Sequence, residues 1–121
     1  MRIVTRKELM EMPDGTIYHE CKPAYFNPMC VMRGLSISPQ DRSCVDWYET
    51  VIPSLPCDNE ADWFFEMWDN GKSVPIDLDG YGREALFDNK LRYAVWEKAD
   101  LLGLADIVAK AIAVAKDSPA S

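Results

Sequence analysis

Asp58-Asn59-Glu60-Ala61-Asp62-Trp63-Phe64-Phe65-Glu66-Met67-Trp68-Asp69, wrapped at about 100° per residue, resolves into two stripes. Asp58, Asp62, Glu66 and Asp69 share one narrow face, and Ala61, Phe64, Phe65 and Trp68 share another. Trp63 and Met67 widen the apolar arc beyond what a single core contact needs. Asp58 is a good N-cap and places negative charge at the positive end of the helix dipole. Asn70-Gly71 is a natural stop, because glycine tolerates the left-handed conformation after the last turn. The segment therefore reads as a helix with one side in the core, a second side against something else, and only acids toward water.

Outward from this helix, the chain divides by charge. Its 121 residues suit a single domain over 1–121 and carry a net charge of −7. Residues 41–88 hold twelve acids and three bases, and the remainder eight acids and ten bases. An acidic chain lacks the basic footprint that direct nucleic-acid binding or an anionic membrane surface requires. No apolar run is long enough to span a bilayer. The opening Met1-Arg2-Ile3-Val4-Thr5 has no apolar core of a secretory leader. Four cysteines in such a chain read as reduced cytoplasmic thiols.

Upstream of the central helix, Thr5-Arg6-Lys7-Glu8 is a capping box opening a short helix from Arg6 to Glu11, and Pro13 stops it. Asp14-Gly15 is a turn. Thr16 to Lys22 alternates, so a strand is expected there. Pro23 and Pro28 bracket a bend, and Met29 to Ile37 reads as a second strand. Ser38-Pro39-Gln40-Asp41 is the next turn, and Cys44 to Ile52, rich in β-branched and aromatic residues, is the third strand. Downstream, Lys72 to Lys90 reads as a structured loop, Leu91 to Glu97 as a fourth strand, and Ala99 to Lys116 as a last helix with Asp100 in its first turn. The order α-β-β-β-α-β-α predicts an α+β fold: an antiparallel sheet of about four strands with helices packed on one face. The over-wide apolar arcs of two helices predict a homo-oligomer.

Candidate chemistry is sparse. His19 is the only histidine, and His19-x-Cys21 on a strand points both side chains to one face. The other thiols, Cys30, Cys44 and Cys57, are widely spaced with no C-x-x-C, so no metal site is expected and packing explains the thiols better. Asp77 to Asp88 has carboxylates at positions 1, 3 and 12 of a calcium-type loop and glycine at position 6. Tyr81, Ala85 and Asp88 stand where such loops carry other ligands, and a turn with solvated acids fits better. Gly80-Tyr81-Gly82 resembles a phosphate nest, but Asp77 and Asp79 would repel phosphate. The strongest surface feature is the row Asp58, Asp62, Glu66 and Asp69, which can engage a basic protein partner. Its plain alternative is a solvated helix face. A different set, Arg33, Trp47, Arg83, Arg92 and Trp96, with Arg42, Tyr81 and Tyr93, can line a nucleotide pocket if the fold brings it together. No catalytic residues and no cofactor are expected.

The opening Thr5-Arg6-Lys7-Glu8-Leu9-Met10-Glu11-Met12-Pro13-Asp14-Gly15-Thr16-Ile17-Tyr18 resembles the start of small uncharacterised phage and prophage proteins, in which a short helix runs into Leu-Pro-x-Gly-Thr and a strand. Met12 replaces the commoner leucine. Tyr93-Ala94-Val95-Trp96-Glu97-Lys98-Ala99-Asp100-Leu101 resembles their strand-to-helix ending. The resemblance implies a mobile-element accessory protein in a bacterial cytoplasm that blunts host defence, by binding an effector or by sequestering a nucleotide signal. The leading expectation is a non-enzymatic binding protein presenting its acidic face to a basic partner. The alternative is a nucleotide-sequestering protein, and an enzyme ranks below both.

Overall fold

Thr5 ends one strand and opens a helix in the same step. In the computed structural model, which describes residues 1–37, 45–53 and 60–116, strand β1 (Arg2–Thr5) runs directly into helix α1 (Arg6–Met10). The Thr5 hydroxyl accepts from the Glu8 amide at 3.2 Å, and the Glu8 carboxylate accepts from the Thr5 amide at 3.1 Å. The expected capping box thus satisfies two helix-end donors reciprocally. The turn that follows is held by the Gly15 amide donating to Met32 O at 2.7 Å, with Gly15 at φ 91°, a conformation suited to glycine.

Strands β2 (Ile17–Lys22), β3 (Tyr25–Ile37) and β4 (Val45–Ile52) follow, then α2 (Glu60–Asn70), β5 (Gly82–Arg83), β6 (Arg92–Val95) and α3 (Lys98–Lys116). All the strands form one antiparallel sheet in the order β1-β6-β2-β3-β4-β5. The fold is α+β as expected, with six strands where four were read. The added strands are short edges: β1 has four residues and β5 two, too few for alternation to register in sequence. Strand β3 also begins earlier than expected and runs through Pro28. The register slips there, with His19 opposite Met29 but Cys21 opposite Phe26. Pro28 sits in that bulge, where the ladder makes no demand on its missing N–H. The expected turn at residues 38–41 and the Asp58 cap lie outside the described residues.

The core forms on one face of the sheet under α1. Val4, Leu9, Tyr18, Cys30, Met32, Trp47, Tyr93 and Val95 are buried together. Tyr18, Trp47 and Tyr93 meet edge-to-face in a triangle, with centroid separations of 6.4, 5.9 and 5.6 Å. Leu9 and Arg6 come down onto it from α1.

Placement of the other helices corrects the expected layout. Among the described residues only α1 is buried against the sheet. Helix α2 leaves Phe64, Phe65 and Trp68 50%, 56% and 74% exposed, so it is not a core helix. Along α3, Leu102, Ile107, Ile112 and Val114 are all more than half exposed. Asp100 lies in the first turn of α3 as expected, and its carboxylate also accepts from the Glu97 amide at 2.8 Å. Among the described residues no helix is long and apolar enough to cross a membrane.

Candidate functional site

Helix α2 exposes four large aromatic side chains. Its acidic row is present but unequal. Asp62 and Asp69 are exposed, and half-buried Glu66 pairs with Lys72 at 3.0 Å and accepts from the Asn70 side-chain Nδ2 at 3.2 Å. Lys72 first, then Asn70, holds the Glu66 carboxyl below the usual range. Asp58, the fourth member of the row, lies outside the described residues. Beside the acids runs an aromatic cluster: Phe64 stacks on Trp68 at 5.8 Å and meets Phe65 edge-on at 5.7 Å. Ala61, Phe64, Phe65 and Met67 form one wall of an apolar groove of about 580 Å³, and Pro53, Val74 and Ile76 form the other.

The alternative set does not converge. Trp47 is fully buried in the core, where its indole N–H donates to the Tyr18 oxygen at 2.8 Å. Trp96 donates to His19 Nε2 at 2.8 Å on the opposite face of the sheet from the core. Arg83 pairs with Asp46 at 3.2 Å. Exposed Arg92 turns back on the carbonyls of Asn89, Lys90 and Leu91. Of the set, only Arg33 and Tyr81 line a common cavity among those described, together with Tyr48 and Asp79. Arg42 lies outside the described residues. Types suited to a nucleotide pocket were legible in sequence, but strand register sends them to different places.

The histidine, the thiols and the loop acids are placed as follows. His19 Nδ1 lies 2.8 Å from Asn27 O and Nε2 accepts from the Trp96 N–H. A carbonyl on one ring nitrogen and a donor on the other require the neutral ring protonated at Nδ1, so neither nitrogen faces a metal. Cys21 and Cys30 are free thiols, while Cys44 and Cys57 lie outside the described residues. Burial, with the neighbouring Glu49, pushes the Cys30 thiol up to about 12. A thiol so held is a poor nucleophile. Among the described residues no group of three or more metal-binding side chains comes together. In the loop, Asp77 accepts from the Asp79 and Gly80 amides, both at 2.9 Å, and Asp88 from the Lys90 amide at 2.9 Å. Those carboxylates close turns locally and do not ring a cation.

Sequence reading missed the most highly organised polar site. Arg6 is 3% exposed and donates to Glu84 at 2.7 Å and to Asp46 at 3.4 Å. Its guanidinium lies 4.3 Å from the centre of a Trp47 ring. Asp46 also accepts from Arg83 and from the Ala85 amide, and Glu84 from Tyr93 and the Leu86 amide. Every described buried side-chain polar atom has a partner. The network therefore clamps α1 to the 82–87 segment and offers no open valence to a substrate. Nearby, Tyr18 donates a short hydrogen bond to Glu49, whose carboxyl burial pushes above the usual range. The available signal was Asp46 itself, an acid between Val45 and Trp47 inside a strand.

No family model, curated protein or solved structure matches the chain.

Proposed function

We propose that this chain is a non-enzymatic, phage-type accessory protein that acts in the bacterial cytoplasm, inhibiting a host defence by binding a basic protein partner through α2. The observation that supports the reading is the exposed aromatic cluster Trp63, Phe64, Phe65 and Trp68 beside the acids Asp62 and Asp69. Contiguous exposed aromatics rimmed by charge mark protein-binding surfaces, where aromatic anchors supply most of the binding energy and charges speed and orient the encounter. The nucleotide-sequestering alternative has less support, because its Arg/Trp set is dispersed across the sheet. On the same reading the exposed face of α3 is where a second copy docks. Light scattering at micromolar concentration should return a dimer, and finding only the 13.8 kDa chain would remove that part.

Charge removal tests the acidic half of the proposal. Asp62→Asn with Asp69→Asn keeps shape and deletes two exposed charges, at a cost of a few tenths of a kcal/mol per residue in helix propensity. The measurement is plating efficiency of a defence-sensitive phage on bacteria expressing the chain. It should fall by about tenfold for the double variant, as expected when electrostatic steering is lost. Glu11→Gln, on the exposed end of α1, should leave it unchanged. Equal plating for wild type, double variant and control would sink the acidic-face reading.

A further inference from the structure

The cavity at Arg33 belongs to neither the α2 surface nor the core. It measures about 650 Å³, within the range of small-molecule sites, and Arg33, Tyr48, Asp79 and Tyr81 line it. Arg33 is fixed from two sides. Its Nε–H donates to Thr50 Oγ1 at 2.8 Å and a terminal nitrogen donates to Leu78 O at 2.8 Å. Those bonds use two of its five donors and neither partner is charged. Asp79 lines the same cavity. Its amide is used by Asp77, but among the described residues its carboxylate has no hydrogen-bond or ionic partner and does not pair with Arg33. Tyr48 and Tyr81, on the same lining, meet edge-to-face at 5.5 Å, with Tyr81 68% exposed.

A cavity lined by an arginine, an aspartate that does not pair with it and two tyrosines complements a ligand bearing both charges and a ring. We infer that this cavity binds a zwitterion of aromatic amino-acid type. The ligand carboxylate lies on the remaining Arg33 donors, its ammonium on Asp79 and its ring against Tyr48 and Tyr81. A nucleotide fits less well. Its phosphates would meet one arginine together with Asp79 and the neighbouring Asp77, whereas a zwitterion adds no net charge.

The test is an NMR titration of the ¹⁵N-labelled full chain with L-phenylalanine, L-tyrosine and L-tryptophan to about 10 mM, enough to detect a Kd of about 1 mM. At least one should give saturable shifts centred on Arg33, Tyr48, Asp79 and Tyr81. 3-Phenylpropionate, which lacks the ammonium, and 2-phenylethylamine, which lacks the carboxylate, should each bind about tenfold more weakly than L-phenylalanine. Asp79→Asn should weaken the amino acid about tenfold and leave 3-phenylpropionate unaffected, a divergence that a merely structural role for Asp79 does not produce. The inference is overturned by no saturable shift with any of the three amino acids, by half-ligands that bind as well as the whole, by an Asp79→Asn variant that weakens all ligands alike, or by tighter binding of GMP than of any amino acid.

Discussion

Arg6→Ala is expected to destabilise the chain by about 3–5 kcal/mol, the usual consequence of removing one partner from a buried ionic network. The magnitude follows from what is left behind. Asp46 is fully buried and the Glu84 side chain is 2% exposed, so Glu84 loses its cation and Asp46 one of two, neither with access to water. Asp46 keeps only Arg83, whose side chain is 51% exposed, and the Ala85 amide. Trp47 loses the cation over its ring. In a domain whose total stability is on the order of 5–15 kcal/mol, that loss is large, and the thermal midpoint should fall by about 10–20 °C. Arg6→Lys should fall in between, because a lysine keeps the charge but cannot fork between two carboxylates. Adding Asp46→Asn and Glu84→Gln to the Arg6→Ala variant should recover part of the loss by removing the stranded charges. Thermal and urea unfolding measure all three. A loss under about 1 kcal/mol for Arg6→Ala would mean that the clamp does not hold the fold together.

Local signals in the sequence were largely faithful. The Thr5/Glu8 capping box, the Asp14-Gly15 turn, the β2 strand and the first-turn place of Asp100 all appear as read, because each rests on interactions within a few residues. Two kinds of information were not legible. The first is pairing: β1 and β5 are strands only because β6 and β4 accept them. The second is which apolar surface wins the core. Helix α2 has the stronger aromatic composition, yet the core belongs to Tyr18, Trp47 and Tyr93, brought together by strands far apart in sequence. The candidate site follows the same division. Asp62, Glu66 and Asp69 lie on α2 as helical phase, a local property, requires, but its aromatic side is exposed and not in the core as expected. Arg33, Trp47, Arg83, Arg92 and Trp96 scatter because their placement depends on register and on partners such as His19 and Asp46. In the sequence Arg6 stands out only as the first residue of the capped helix. Its burial depends on Glu84, seventy-eight positions away.

The second large effect belongs to the aromatic cluster. Phe64 and Trp68 stack on one another at 5.8 Å and are 50% and 74% exposed. Truncating both removes little that the fold buries, so stability should change by no more than surface substitutions do, about 0.5 kcal/mol each. At an interface the same rings would be anchors, and each hot-spot residue lost costs about 2 kcal/mol or more. Together they should lower affinity by roughly a thousandfold, since every 1.4 kcal/mol is tenfold. The measurement that decides the account is therefore a pair of readings on Phe64→Ala/Trp68→Ala: its thermal midpoint, and phage plating efficiency on bacteria expressing it. The expected result is a midpoint within about 5 °C of wild type, with plating reduced to that of bacteria lacking the chain. Full plating at an unchanged midpoint would show that α2 is not the working surface, and a collapsed midpoint would show that these rings serve the fold.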